Sequence, residues 1–286
     1  MTTIRTSILA SAAFILPMLA GGADYNSPVA AKIAETCTVK RQDEFYGFKR
    51  VVFDFNGHDA WVVLPKAEPA KGNPWTWCMQ WATAYVPRTN VLKLLESGWH
   101  HVTINTFSHR MDEEGIRVSA EFQEFLVTKL GFAPKACLVG MSWGGFFSVR
   151  YAAAHPENVG KVYLDAPLLN FDGFAKSGEE STPTASAARI GPWAAMPPEF
   201  GWTDDPRMPV NMADKVAKAG IPVLLLYGGQ DQTVPPVLNA ELFASRFRAA
   251  HGDIKVVNRS LYGHHPHGVA ESDDTIKAFF EGDAAK

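Results

Sequence analysis

A serine with glycine two residues to either side, Gly140-Met141-Ser142-Trp143-Gly144, follows directly on the apolar run Ala136-Cys137-Leu138-Val139. The spacing fits G-x-S-x-G, in which a serine sits on a strained turn between a strand and a helix. At such a turn the hydroxyl stands clear of the sheet edge, and the backbone around it passes close to its neighbours, where a Cβ on either glycine would collide. The stretch Phe146 to Ala154 reads as the helix that follows. Its amino end offers unpaired N–H groups where an oxyanion would form. The chemistry implied is nucleophilic attack by Ser142 on a carbonyl carbon.

A serine hydroxyl is a poor nucleophile until a base takes its proton, and the base needs a third group to hold its tautomer. In a strand-turn-helix context of this kind the acid and the histidine follow the serine along the chain. Asp231, in Gly228-Gly229-Gln230-Asp231-Gln232-Thr233-Val234-Pro235, lies directly after the apolar run Ile221 to Tyr227 and is the first choice for the acid; Asp165, after Lys161 to Leu164, is its rival. Three of the nine histidines fall in Gly263-His264-His265-Pro266-His267. His264 is the first choice for the base and His265 the second, with His267 holding the loop together. Metal binding by this cluster is the weaker reading, because adjacent histidines usually point apart and no carboxylate stands at ligand spacing. An oxyanion hole would use the N–H of Trp143 and one from the loop after the third strand, near Trp81-Ala82. No cofactor and no metal is needed for such chemistry.

These groups must be carried by a scaffold. Lys49 to Phe55 and His58 to Leu64 flank Asn56-Gly57, a strong hairpin signal. Strands are expected at Trp75 to Trp81, His101 to Thr106, Ala136 to Val139, Lys161 to Leu164, Ile221 to Tyr227 and Ile254 to Val257. Helical spacing marks Val91 to Ser97, Glu113 to Leu130, Ala213 to Ala219, Val237 to Ala249 and Thr275 to Phe280. An opening hairpin and then alternating strands and helices predict a mostly parallel sheet with helices on both faces, in one domain. Right-handed crossovers gather the strand carboxyl ends, and the loops carrying the candidate residues, along one edge. The segment 168–209, rich in Pro, Ser, Gly and Trp, interrupts the pattern as a lid-like insertion after the sixth strand. Its Trp193 and Trp202 are candidate substrate-binding residues.

The chain has 286 residues, 47% hydrophobic and 20% charged, with a formal net charge of -3. That balance gives no electrostatic footprint for nucleic acid or an anionic membrane. Residues 1–23, with Arg5, an apolar Ile8 to Leu19 and a small-residue stretch at Ala20 to Ala23, read as a cleaved secretory signal. The mature domain is then 24–286, secreted or periplasmic, with no stable membrane insertion. In such a compartment Cys37 and Cys78 are open to pairing, whereas Cys137, in the strand before Ser142, is expected to be a buried thiol.

Serine turn, late aspartate loop and late histidine resemble the α/β-hydrolase superfamily across the mature chain. The closer resemblance is to secreted bacterial hydrolases of prolyl-oligopeptidase-like and carbohydrate-esterase-like type. It is carried by Asn73-Pro74-Trp75-Thr76-Trp77, Gly98-Trp99-His100, Gly140-Met141-Ser142, Asp165-Ala166-Pro167 and Gly263-His264-His265-Pro266-His267. The resemblance implies a triad of Ser142, Asp231 and a histidine of the last motif. Where such relatives often carry arginines, this chain has Trp143 and Cys78. The expected substrates are acyl esters of carbohydrates or small soluble esters. A peptidase of prolyl-oligopeptidase type and a non-catalytic glycan-binding protein are the alternatives.

Overall fold

The computed structural model describes residues 27–172, 174 and 188–282. The expected signal segment and residues 173 and 175–187 of the expected insertion lie outside the described residues. Nine strands form one sheet in the order β1-β2-β3-β5-β4-β6-β7-β8-β9. They are β1 Thr38–Phe45, β2 Phe48–Phe55, β3 His58–Val63, β4 Trp75–Cys78, β5 His100–Ile104, β6 Ala136–Met141, β7 Val159–Asp165, β8 Val223–Gly228 and β9 Ile254–Arg259. β1, β2, β3 and β5 pair antiparallel. From β5 through β4 to β9 every pairing is parallel. The hairpin turns at Asn56 and Gly57, both with positive φ, 50° and 86°, as a two-residue turn that follows strand twist requires.

Alternation along the strands divides the apolar side chains between two faces. Val51 and Phe53 of β2, Leu138 of β6, and Val223 and Leu225 of β8 face one cluster, which is covered by α1 Pro28–Thr36, α3 Glu113–Thr128, α4 Trp143–Ala154, α5 Ala213–Lys218 and α6 Ala240–Ala249. Val52, Val139, Leu224 and Leu226 face the other, under α2 Val91–Glu96 and α7 Thr275–Glu281. Because both faces are covered, β8 is buried at all six positions, which is why its sequence reads as an unbroken apolar run. Trp75 and Trp77, two apart on β4, are both buried on the first face, and the Trp75 indole N–H donates to Ala133 O at 2.8 Å. They are core.

Two elements escape the hydrophobic pattern. β1 (Thr-Val-Lys-Arg-Gln-Asp-Glu-Phe) is an edge strand with only Phe45 buried, and its charges discourage pairing with a second chain. Alternation marks strands with a dry face, and β1 has none. Counting it places the segment 168–209 after the seventh strand rather than the sixth. Among the described residues that segment holds short 3₁₀ turns at Gly191–Ala195, Trp202–Asp204 and Pro209–Met212. Cys37, Cys78 and Cys137 are free thiols. Cys37 packs on the first face and Cys78 on the second, so the sheet separates the two that were open to pairing. Burial pushes the Cys78 and Cys137 thiols up to about 12, which keeps them protonated.

Candidate active site

Ser142 links β6 to α4 with φ 50° and ψ −117°, a backbone region that L-residues occupy only when their surroundings fix it. The surroundings do so with three hydrogen bonds. Its N–H donates to Asp165 O at 3.0 Å, and its carbonyl accepts from Gly145 N and Leu168 N, both at 2.9 Å. A Cβ at Gly140 would lie 2.7 Å from Ser148 Oγ and 2.9 Å from Gly144 O; at Gly144 the nearest atom, Gln80 N, is a tolerable 3.4 Å away. The tightest position is Gly145, where a Cβ would meet Pro167 Cβ at 2.3 Å. The third glycine of this turn therefore lets α4 rest on the loop after β7. Gly145→Ala should destabilise the fold by about 1–3 kcal/mol through overpacking, despite the roughly 1 kcal/mol that alanine gains in a helix. Urea unfolding checks this, and a stabilised variant would refute it.

The parallel crossovers bring the loop after β8 and the loop after β9 alongside this turn. Asp231 Oδ1 accepts from Thr233 N at 2.9 Å and Val234 N at 2.8 Å, which fixes the carboxylate. Its Oδ2 accepts from His264 Nδ1 at 2.6 Å. His264 Nε2 lies 3.1 Å from Ser142 Oγ. With Nδ1 donating to a carboxylate, Nε2 carries the lone pair that faces the hydroxyl. The acid side chain is 1% exposed, the imidazole 9%, and Ser142 is half-buried, so the chain of bonds runs from the interior outward. The two loops are fastened together by Gln230 N donating to Tyr262 O at 2.9 Å. Gly228 makes their crossing possible, since a Cβ there would stand 2.1 Å from Gly263 O. A hydroxyl, an imidazole and a carboxylate in this order can pass a proton from oxygen to nitrogen while the ring keeps its orientation.

Asp165, the rival acid, sits at the end of β7 and is fully buried. Its carboxylate takes hydrogens from Arg259 Nη2 at 2.7 Å, His267 Nδ1 at 3.1 Å, Gly268 N at 2.6 Å and Tyr163 Oη at 2.6 Å. It thus anchors the loop that presents His264, and His267 serves as one of the fastenings. Two further histidines, His100 and His101 on β5, belong to the core. Burial pushes their imidazoles down to about 4 and about 3, so both are neutral.

The loop after β4 crosses the start of α4, with Gln80 against Gly144. Trp81 has φ 62° there. The N–H of Trp143, first in its helix, has no carbonyl one turn back. Neither it nor the N–H of Trp81 donates to a backbone acceptor among the described residues. The aromatic side chains fall differently from expectation. Trp193 is 2% exposed, donates its indole N–H to Arg110 O at 2.9 Å, and lies under the Arg150 guanidinium at 4.6 Å. It is a core residue and cannot meet a substrate as expected. Trp202 is partly buried against Phe171, ring centroids 5.1 Å apart. Trp143 is buried among Phe107, Phe146, Phe171 and Phe174. Trp81, on the loop after β4, is 43% exposed and packed on Phe107. Phe107, at the carboxyl end of β5, carries no motif, and its position after a strand was the one signal for it. Val237, in the segment after β8, and Leu261 and Tyr262, in the loop after β9, are also exposed.

A model of the α/β hydrolase fold matches residues 82–187, and the sheet order with Ser142 on the turn after β6 agrees with it. The chain has the α/β-hydrolase fold. Similar solved structures share it at low identity. A putative esterase from Staphylococcus aureus is 13% identical with a TM-score of 0.59, the match covering 88% of this chain and 86% of that one. A Mycobacterium tuberculosis puromycin-hydrolyzing peptidase is 18% identical with a TM-score of 0.56, covering 86% of this chain and 38% of the other. A putative dipeptidyl aminopeptidase IV from Bacteroides ovatus is 15% identical with a TM-score of 0.58, covering 81% and 34%. The chain spans less than half the length of both peptidases. No curated protein matches its sequence. Among the described residues, no helix is long and apolar enough to cross a membrane.

Proposed function

We propose that this protein is a secreted or periplasmic serine hydrolase that cleaves carboxylic esters through an acyl-enzyme. The reading rests on one observation, the His264 imidazole hydrogen-bonded to Ser142 Oγ on one side and to Asp231 on the other. Ser142 Oγ attacks the ester carbonyl as His264 Nε2 takes its proton. The resulting oxyanion lies against the N–H groups of Trp143 and Trp81, each such donor worth about 3 kcal/mol in the transition state. His264 returns the proton to the departing alcohol, and the same nitrogen then deprotonates a water that releases the acid. The base contributes about 10²–10⁴-fold, so the cycle runs on protein groups alone.

For the substrate, the exposed apolar side chains of Trp81, Leu261, Tyr262 and Val237, carried after β4, β9 and β8, suit an acyl or aryl group, or the face of a sugar ring. Acyl esters of carbohydrates and small soluble esters fit that description. The match to the staphylococcal putative esterase over nearly all of both chains favours esters. The peptidase matches support amide cleavage as a second reading, though each covers less than half of the other chain. A glycan-binding role would not require an oriented serine, histidine and aspartate.

The test is labelling of the purified protein with a fluorophosphonate probe, peptide mapping of the adduct, and assays on p-nitrophenyl acetate, acetylated sugars and peptide amides. The expected result is an adduct on Ser142 with turnover of esters. An adduct with turnover of amides alone would select the peptidase. Absence of both adduct and turnover would end the hydrolase reading.

A further inference from the structure

His264, His265 and His267 do not spread apart as adjacent histidines were expected to. Their ring centroids form a triangle with sides of 4.7, 4.9 and 5.0 Å. One ring nitrogen of each lies within 4.8 Å of the others. Three imidazoles bound tetrahedrally to a metal at 2.0–2.1 Å would place their centroids about 5 Å apart. The rings therefore stand at the centroid separation of a three-histidine metal site.

Their protonation points the same way. His264 gives Nδ1–H to Asp231 and His267 gives Nδ1–H to Asp165. Each carboxylate leaves the lone pair on Nε2, the arrangement that orients histidine ligands in zinc proteins. Two such carboxylate–histidine pairs stand side by side here. The third ring, His265, is exposed and rests on Tyr85, ring centroids 5.6 Å apart. The buried carboxylates of Asp165 and Asp231 set negative charge behind the cluster, and Arg259 offsets part of it through its ion pair with Asp165. Imidazole donors suit zinc, copper or nickel, whereas magnesium and calcium prefer oxygen.

We infer that His264, His265 and His267 form a binding site for a borderline-soft divalent cation such as Zn²⁺, and that occupation of it silences Ser142. Binding uses the Nε2 lone pair of His264, the pair that Ser142 Oγ otherwise meets at 3.1 Å. Both uses cannot coexist, so metal and proton transfer compete for one nitrogen. All three rings ligate through a neutral imidazole nitrogen, and a water completes the shell. The silencing half of the inference rests on the hydrolase reading; the binding half does not.

The experiment therefore has two independent readouts. Zn²⁺ is titrated into chelator-treated full-length protein by calorimetry, with Co²⁺ added separately to look for the visible absorption of a tetrahedral site. Fluorophosphonate labelling is followed in parallel. One Zn²⁺ should bind per chain, labelling should slow by at least about tenfold at saturation, and a chelator should restore it. Mg²⁺ should do neither. His265→Ala should label normally without metal and weaken Zn²⁺ binding about tenfold or more, a loss on the scale of removing one support from a metal site. No Zn²⁺ binding in a protein that labels normally would overturn the inference and leave the hydrolase standing. Equal Zn²⁺ affinity and inhibition in wild type and His265→Ala would also overturn it. Zn²⁺ binding that depends on His265 in a protein that never labels would uphold the site and defeat the hydrolase.

Discussion

Ser142→Ala should lower kcat on an ester substrate by about 10⁶ and abolish the fluorophosphonate adduct, with folding stability within about 0.5 kcal/mol of wild type. The two halves follow from different atoms. All three hydrogen bonds that fix residue 142 use its backbone, and its hydroxyl caps no helix. Alanine keeps the same Cβ at φ 50°, so the strained turn should persist. What disappears is the one oxygen that His264 Nε2 addresses. A residual rate about 10³–10⁴ above water would reflect oxyanion stabilisation and binding without a nucleophile. Burst kinetics and thermal unfolding on the same preparation separate these outcomes. Undiminished turnover in a folded Ser142→Ala would mean that the hydroxyl takes no part, and the proposed cycle would fail at its first step.

The parts of this molecule legible in the sequence are those where local chemistry and burial agree. The turn at Ser142 announces itself because the backbone needs glycine where α4 and the neighbouring loops press close, and β8 because it is dry on both faces. That Ser142, Asp231 and His264 could meet was legible because right-handed crossovers bring three distant loops to one edge. β1 was illegible because an exposed, charged edge strand has no hydrophobic period. Trp193 was misread because an irregular sequence suggests an exposed lid, yet the indole is buried against Phe146 and Phe171. The turn of the three histidines toward one another depends on Asp165, 102 residues before His267, and on its partner Arg259, contacts that spacing alone does not encode.

Asp231→Asn and Asp165→Asn should part ways, and the contrast decides which carboxylate serves the imidazole. In Asp231→Asn the amide oxygen can still accept from Thr233 N and Val234 N. Its NH₂ then faces His264 Nδ1 and donates to it. The lone pair moves to Nδ1, the proton to Nε2, and the ring now offers Ser142 a donor where it needs an acceptor. A loss of about 10⁴ in kcat follows from the wrong tautomer, with little change in stability because the loop's backbone contacts survive. In Asp165→Asn the tautomer of His264 is untouched. The loss falls on Arg259, whose side chain is 13% exposed and whose carboxylate partner is fully buried. Removing one member of such a pair costs about 3–5 kcal/mol, seen as a lower urea midpoint, while kcat in the folded fraction falls far less than 10⁴-fold. If Asp165→Asn instead loses 10⁴ in kcat at near-normal stability, the acid of the proposed triad is Asp165 and the bond between Asp231 and His264 is only structural.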